Sequence, residues 1–462
     1  MKNILIRSGI SPLDTFDPSY MIDKNSIGGN VGNLIYAYSV YRTLMTKETN
    51  IVPDYYSRNP DNAELINKKY DCYIIPLADA FRTDFIHELR DYTKLIKKLD
   101  IPVVVIGVGL RAPFEPKLNE GFPFDNEVKD FVKAVLEKSN IIGVRGQITA
   151  DYLTGLGFRE GKDHMVIGCP SMYSFGRDLN IKQPNITKDS LVCVNSSMLS
   201  PNNVLEFISR SMKKYPNHYF IPQWRKEMIL TYVGSPSITN KSINYPTKMS
   251  DSIYMNDQVR FFLNAPSWID FMSKVDFSFG ARLHGNVTAT IAGTPSLIIP
   301  KDARMRELAE YHKLTSLWWK EIDENTKIEN VLEKADFYSP EEVQHENFDN
   351  FISFLNANKL DHIYLESKYP TSIPLDEKLK NIELLPPIRP VSGISLEEMV
   401  ERWEKYYPLF EKKQKKRKNS LEKKYKKDIT KKNKKIKHLE NTLNRKSVRL
   451  ALKTANKFRF NK

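Results

Sequence analysis

Short apolar runs alternate with amphipathic stretches along the first 175 residues of the chain. The runs at 4–6, 72–75, 103–106 and 141–144 have the length and composition of buried strands, and those at 72–75 and 103–106 are bounded by Pro or Gly. Residues 83–98 and 147–156 carry apolar positions at the spacing of amphipathic helices. Strands that alternate with helices in this way are typical of a parallel, doubly wound sheet.

The same rhythm begins again after a polar stretch at 176–189. Strand-like runs lie at 191–194, 219–221, 275–279 and 296–299, and helices are expected at 202–214, at 284–292 and from Met305 onward. We therefore predict an α/β fold of two Rossmann-like domains, 1–175 and 190–357, facing a cleft as in the glycosyltransferase-B arrangement. Ligands of such sheets bind beyond the carboxyl ends of the strands.

Two further segments follow the predicted domains. Residues 358–395 contain five prolines and many charges, which indicates a linker or an extended segment lying on the body. Residues 396–462 are helical by propensity, but their apolar positions are too sparse and irregular for a coiled coil. We predict a Pro-rich linker for the first segment and a basic helical tail for the second.

The charge is distributed unevenly between body and tail. The 462 residues carry a formal net charge of +14, yet residues 411–462 alone hold 22 Lys and Arg against 4 Asp and Glu. Residues 1–410 hold 48 basic against 52 acidic side chains, so the body is slightly acidic. The basic pI therefore describes the tail and is no indication that the body binds nucleic acid.

The cysteines and the apolar runs bear on the compartment. Cys72, Cys169 and Cys193 are far apart and match no zinc spacing, which argues against a disulfide framework and fits a reducing cytosol. The longest apolar run, 103–110, has eight residues, whereas a bilayer span needs about 20. The N-terminal apolar stretch is too short for a signal peptide. We expect a cytoplasmic protein that is not integral to a membrane.

The segment 279–286 carries the main candidate chemistry. A strand, a glycine-flanked loop and a helix start would present free backbone N–H groups, including that of Gly285, to an anion. Arg282 adds a fork-shaped cation suited to phosphate or carboxylate, and His284 adds a group that donates protons near neutral pH. The segment predicts an anion pocket with a built-in acid, although a surface arginine and a structural histidine would have the same spacing.

The order of residues around this segment is similar to the C-terminal motif of polysaccharide pyruvyl transferases. In that family, an Arg-Leu-His or Arg-x-His triplet precedes a small-residue helix, a Gly-x-Pro turn, a strand and a loop with a basic residue. This chain has Arg282-Leu283-His284, then Gly293-Thr294-Pro295, then Asp302 and Arg304. Arg304 matches a position where the family often has Lys, and the nearby Lys301 could share its role.

Weaker matches lie in the first half of the chain. The segment 29–33, with Asn30 and Gly32, resembles the family's Gly-Asn-x-Gly-Asp but has Asn33 in place of Asp; a plain strand-to-helix turn would look the same. The segment 144–149 resembles Val-Arg-Asp-x-x-Ser around Arg145, with Gly146 and Thr149 substituted. Cys169 replaces the Asp of a Gly-Asp-Pro turn. The resemblance spans roughly 1–320 and is specific only around 280–308.

The resemblance implies transfer of a pyruvyl group from phosphoenolpyruvate to a sugar of a surface polysaccharide or its lipid-linked precursor, with release of phosphate. The donor carries a phosphate and a carboxylate, so it needs two or more cations, for which Arg145, Arg282, Arg304 and Lys301 are the candidates. His284 is the candidate acid that protonates the enol carbon. No cofactor is implied, and no residue spacing indicates a metal site.

Several assignments stay open at this level. Gly107 and Gly109 follow a strand and either approach the ligand, as acceptor-loop candidates with Asn30, Gly32 and Asn33, or form a plain turn. Trp224 is either a stacking face for a sugar or a core residue. The tail is either a solvated charge run or a segment that touches an anionic inner membrane face. Nucleic acid is not favoured, because the tail has few aromatic residues.

Two rival functions remain at this stage. A two-domain glycosyltransferase using a nucleotide sugar would share the architecture, but no site for the base and diphosphate is recognisable. A non-catalytic scaffold acting through the tail is the other alternative. Intact Arg282 and His284 argue against the scaffold, and the changed Asn33, Gly146 and Cys169 argue for it.

Overall fold

Two four-stranded parallel sheets form the frame of the protein, in a computed structural model that describes residues 1–239 and 242–459. The chain divides into one unit at Met1–Met399, which contains both sheets, and another at Val400–Lys462. The strands are β1 Lys2–Ile6, β2 Thr49–Pro53, β3 Cys72–Pro76, β4 Val103–Ile106, β5 Ile142–Val144, β6 His164–Val166, β7 Val192–Asn195, β8 His218–Phe220, β9 Phe277–Gly280 and β10 Ser296–Ile298.

The helices alternate with these strands, as the sequence predicts for an α/β fold. They are α1 Pro18–Lys24, α2 Gly32–Leu44, α3 Ala63–Lys69, α4 Ile86–Ile96, α5 Asp125–Leu136, α6 Gln147–Gly155, α7 Asn202–Met212, α8 Arg225–Val233, α9 Ser252–Met255, α10 Ala265–Ser273, α11 Leu283–Ile291, α12 Ala303–Tyr311, α13 Ile328–Leu332, α14 Ser339–Ala357, α15 Pro374–Leu379, α16 Leu396–Leu443 and α17 Lys446–Arg459.

The first sheet has the order β2-β1-β3-β4, and all its pairs are parallel. β3 and β4 are buried along their whole length, since helices cover both faces of a parallel sheet. β5 and β6 pair with each other and continue beside this sheet through a bridge between Val108 and Val144. The core of this half also contains Ala303, the first residue of α12, although α12 follows the second sheet in the chain.

The second sheet has the order β10-β9-β7-β8, again with parallel pairs. The last residues of β7 and β9, Asn195 and Gly280, are register partners. The loops that follow these two strands therefore start side by side at one edge of the sheet. The segment with Arg282 and His284 begins at this edge, as the prediction of an α/β fold with strand-end loops requires.

The Pro-rich segment, residues 358–395, packs against other parts of the first unit. Asp376 of α15 forms an ion pair of 2.6 Å with Arg42 of α2, and Leu375 is buried. Ile388 exchanges two backbone hydrogen bonds with Phe261, of 2.8 and 3.0 Å. These contacts hold the segment against α2 and Phe261; its assignment as a linker and the boundaries proposed at 175, 190, 357 and 395 stay predictions.

The C-terminal helices predicted from composition are present. The side chains of residues 411–440 are exposed, including the apolar Leu421, Ile429 and Ile436. Across residues 1–239 and 242–459, no helix combines the length and the apolar content that crossing a membrane requires.

Candidate active site

Two buried asparagines shape the turn from which Arg282 and His284 extend. Gly280 ends β9 with a φ of +143°, and a methyl group there would lie 1.7 Å from the carbonyl oxygen of Asn195. Asn195 Oδ1 accepts the backbone N–H of Arg282 at 2.8 Å. Asn286 Nδ2 donates to the carbonyls of Gly280 and Arg282 at 3.0 and 3.1 Å. The start of α11 is thereby fixed to the end of β7.

The guanidinium of Arg282 is held by three neighbours. Its Nε donates to the Ser196 carbonyl at 2.8 Å, its Cζ lies 4.2 Å from the centre of the Trp224 ring, and its Nη2 lies 3.6 Å from Glu227 Oε2. This Nη2 is buried and makes no hydrogen bond within the described part of the chain. The Trp224 ring is half-buried, lines the cavity and packs against the Arg282 guanidinium, so it is not a core residue. Its stacking on a sugar stays a prediction.

Glu227 was not found from the sequence. Its carboxylate is fully buried and accepts the backbone N–H groups of Gln223 and Trp224, both at 2.7 Å, as well as the Tyr245 hydroxyl. These bonds orient the carboxylate that faces Arg282. The only sequence signal is a glutamate at the third position of a helix, which is the ordinary place for a capping residue.

His284, which follows β9 of the second sheet, is enclosed by residues that belong with the first sheet. A methyl group on Gly32, the first residue of α2, would lie 2.5 Å from His284 Nδ1, and the Cys169 Sγ lies 3.9 Å from His284 Nε2. Burial, together with the charges of Arg145 and Arg304, lowers the pKa of His284 to about 3. The imidazole is therefore neutral at pH 7, and it can act as an acid only after a bound anion raises its pKa.

Arg145 lies deeper, on the side of the first half. It is fully buried, its Nε donates to the Gly107 carbonyl at 2.7 Å, and its Cζ lies 4.9 Å from the Tyr36 ring centre. Both Nη atoms are buried without a hydrogen-bond partner among the described residues. Gly107 and Gly109 pack here, since methyl groups on them would meet Tyr36 Oη at 2.3 Å and Arg145 Cδ at 3.1 Å.

A cavity of about 650 Å³ joins the strand ends of both sheets. Six of the residues predicted for the site line it: Asn30, Asn33, Arg282, His284, Lys301 and Arg304. The predicted Gly32, Gly107, Gly109, Arg145 and Gly285 lie outside its lining. Gly285 packs instead against Asn195 and Gln223, where a methyl group would come within 2.8 Å of both side chains. The functional roles of all these residues stay predictions.

Three lining cations were missed in the sequence: Arg7, Arg82 and Arg111. Each follows a strand of the first sheet, so the rule that ligands bind at the carboxyl edge could have found them. With Arg282, Lys301 and Arg304, the lining holds six cationic side chains and the carboxylates of Asp79 and Asp302. This excess of positive charge suits a ligand with several negative charges.

Asp79 connects two of these cations. Its Oδ2 forms an ion pair with Arg82 at 2.9 Å and accepts a hydrogen bond from Arg304 at 3.1 Å. Burial acts to raise the pKa of Asp79, but the charges of Arg304 and Arg82 outweigh it and lower the pKa below its ordinary value. Burial and the charge of Arg282 lower the pKa of Lys301, whose Nζ donates to Ser200 Oγ at 3.2 Å.

The three positions that depart from the family pattern each have a structural account. Asn33 Nδ2 donates to the carbonyls of Ile27 and Gly28, at 2.9 and 3.4 Å, which a carboxylate could not do. The missing side chain at Gly146 leaves room for Glu307, whose Cβ would lie 2.6 Å from a methyl group there. Cys169 faces His284, as described above. Within residues 1–239 and 242–459, no three His, Cys, Asp or Glu side chains are grouped to hold a metal ion.

Comparisons with known proteins give a family and a set of distant structures. A family profile described as Polysaccharide pyruvyl transferase matches residues 30–302. Among curated proteins, no sequence matches the chain. A UDP-GlcNAc 2-epimerase from Methanocaldococcus jannaschii, crystallised with UDP-GlcNAc and UDP, is 12% identical with a TM-score of 0.43, over 77% of this chain and 99% of that one.

An uncharacterised protein from Klebsiella pneumoniae is also 12% identical, with a TM-score of 0.36, over 69% of this chain and 92% of that one. Both TM-scores lie below 0.5, so neither likeness constrains the function of this chain.

We predict that Gly32→Ala displaces the His284 ring. Alanine stabilises a helix by about 1 kcal/mol relative to glycine, so the helix itself should tolerate the change. The new methyl group would contact the imidazole, and a displacement of about 1 Å can reduce a rate on the order of 10²-fold. Turnover and melting temperature are to be measured together. Gly155→Ala is the control, because its methyl group would meet no atom within 4 Å; equal turnover in both variants would contradict the proposed contact.

Proposed function

The chain belongs to the polysaccharide pyruvyl transferase family, and from this premise we propose that it transfers the pyruvyl group of phosphoenolpyruvate to a sugar of a surface polysaccharide or its lipid-linked precursor. The observation that carries the proposal is the meeting of Arg282 and His284 with Lys301 and Arg304 in one cavity rich in positive charge. Phosphoenolpyruvate combines a phosphate and a carboxylate in a small molecule, and such a ligand needs several cations close together.

The cations support donor binding in different ways. Arg282 lines the cavity and has a buried guanidinium nitrogen without a hydrogen-bond partner in the described residues, so it retains a donor for an anion. Arg145 also has such nitrogens, but it lies behind the lining and would act mainly through its charge. Arg304 is already bonded to Asp79 and Asp302, at 3.1 and 3.5 Å, and would supply charge in a fixed orientation. A buried polar group that lacks a partner is costly, which favours an anion as the missing partner.

His284 is the proposed acid for the first step. It would deliver a proton to the methylene carbon of the donor, which becomes a methyl group and leaves an oxocarbenium-like centre at C2. One hydroxyl of the sugar then forms a C–O bond at C2, and a second hydroxyl displaces inorganic phosphate to close the ketal. Of the two hydroxyl protons, one returns to His284 and the other leaves with the phosphate. Phosphate is an adequate leaving group, so these residues suffice without a metal.

The direct test is release of phosphate from phosphoenolpyruvate with a panel of free and lipid-linked glycans. We expect Arg282→Lys to lose most of this activity, because an ammonium cannot replace the planar fork between Ser196, Trp224 and the ligand. Arg306→Lys is the matched control, since Arg306 pairs with Glu310 at 2.8 Å and does not line the cavity. Near-normal turnover in Arg282→Lys would count against a role in which the guanidinium bonds two oxygens of one anion. Consumption of a nucleotide sugar without release of phosphate from phosphoenolpyruvate would favour a glycosyltransferase.

Donor binding is expected to take up a proton. Because the pKa of His284 lies at about 3, the imidazole is neutral at pH 7, and a multiply charged anion beside it would raise that pKa. Binding should therefore tighten as the pH falls through the range in which the complex is protonated. Calorimetry in buffers of different ionisation enthalpy measures the uptake, and His284→Gln should reduce it. The same apparent enthalpy in every buffer would refute the assignment.

For the tail we propose contact with an anionic inner membrane face, which would make the protein cytoplasmic and peripheral. Each Lys or Arg near such a surface contributes about 1 kcal/mol, and the tail has a large excess of both. Truncation after Met399 should leave a folded enzyme active on a soluble acceptor, since both sheets lie in Met1–Met399. The truncated protein should lose sedimentation with anionic liposomes, most clearly at low salt. If the full-length protein does not sediment with these liposomes, or if the truncated protein is insoluble, the proposed membrane contact of the tail is wrong.

A further inference from the structure

Glu307 is a buried carboxyl group that the proposed chemistry does not use. It lies on α12, one turn after Arg304, and only 2% of it is exposed. Its Oε2 accepts the backbone N–H of Thr149 at 2.9 Å, and its Oε1 accepts the Thr149 hydroxyl at 2.8 Å. Thr149 is the third residue of α6, so a side chain that follows the second sheet closes the N-terminus of a helix that follows β5.

The local sequence of α6 leaves this place to Glu307. Gly146 is the residue that precedes the helix, and it supplies no side-chain cap. A methyl group at Gly146 would lie 2.6 Å from Glu307 Cβ, so only glycine allows α12 to approach this closely. A carboxyl oxygen at a helix N-terminus accepts a backbone N–H group that has no partner within the helix. Glu307 therefore serves α6 as its cap from another part of the chain.

The same contact connects two of the proposed donor-binding cations. Arg145 directly precedes Gly146, and its Nε bonds to Gly107. The Thr149 hydroxyl also accepts the backbone N–H of Leu110 at 2.9 Å, which joins the loop after β4 to the cluster. On the other side, Arg304 is three residues before Glu307 on α12. One carboxyl group thus fixes the loop that carries Arg145 against the helix that carries Arg304.

We propose that Glu307 is a positioning residue that holds Arg304, which lines the cavity, and Arg145, which lies behind the lining, in the places from which their charges act on the anionic donor. The inference rests on the proposed function. Arg145 and Arg304 are the charged side chains that act on Glu307, one from the loop before α6 and one from α12 itself. The residue would touch neither the donor nor the acceptor, and it would act only through these two arginines.

The protonation state of Glu307 should also affect donor binding. Burial raises the pKa of Glu307 to about 8, against the lowering effects of the Thr149 bonds and the charges of Arg145 and Arg304. The group is mainly protonated at pH 7 and becomes an anion above pH 8. The new negative charge would then compete with the donor for the two arginines, so donor affinity should fall as the pH rises from 7 to 9.

The test measures the dissociation constant of phosphoenolpyruvate by calorimetry, without acceptor, at pH 7 and pH 9. Glu307→Ala should weaken binding at pH 7 about tenfold or more, because Arg145 and Arg304 would no longer be held in place for the donor. Glu307→Gln, which resembles the protonated carboxyl group, should bind within about threefold of wild type at pH 7. It should also lose less affinity than wild type between pH 7 and pH 9. Glu310→Ala is the control, because Glu310 is exposed on the same helix.

The outcomes separate this proposal from the proposed function. If the wild type binds the donor and Glu307→Ala binds it equally well, the positioning role is overturned and the function stays intact. The same holds if Glu307→Gln binds the donor no more tightly than Glu307→Ala. Absence of donor binding in wild type would count against the function, and inorganic phosphate would then serve as the probe for the same variants. If Glu307→Ala does not fold, Thr149→Ala removes one of the two bonds and should weaken binding in the same direction; unchanged affinity there overturns the proposal.

Discussion

The structure depends on holding several positive charges in one partly buried cavity without neutralising them. Burying a charge is costly unless it is paired or hydrogen-bonded. The chain meets this cost with partners that leave part of each guanidinium available: Arg282 has a carbonyl, an aromatic ring and a distant carboxylate, and Arg145 has a carbonyl and the ring of Tyr36. Asp79 is shared between Arg82 and Arg304. The positive charge that remains is what makes the cavity suited to a small, multiply charged anion.

The same constraint determines the state of His284. A histidine that is buried close to Arg145 and Arg304 cannot keep a proton at neutral pH, so its acidity depends on the charge that a ligand brings. The position of the ring depends on packing, since Gly32 and Cys169 border its two nitrogens. In the proposed reaction, binding of the donor and protonation of the acid are therefore one linked event rather than two independent ones.

The residues that depart from the family pattern fit their surroundings closely. Asn33 uses the donor that an aspartate lacks, and Gly146 uses the absence of a side chain to admit Glu307. The substitutions in this way support the local structure, which weakens the argument for a non-catalytic scaffold drawn from them.

The sequence by itself determined the α/β rhythm, the C-terminal helices and the family motif around Arg282, because strand runs, helical spacing and short motifs are local signals. It also determined which half of the chain carries the proposed acid. Only the tertiary structure decided that Arg7, Arg82 and Arg111 share one cavity with that motif, and that Arg145 lies behind it. It alone placed Glu227 beside Arg282, and Glu307 of α12 against the N-terminus of α6. These contacts join residues separated by 55 or more positions in the sequence, and a side chain's partner at such a distance is set by how sheets and helices pack, not by its neighbours along the chain.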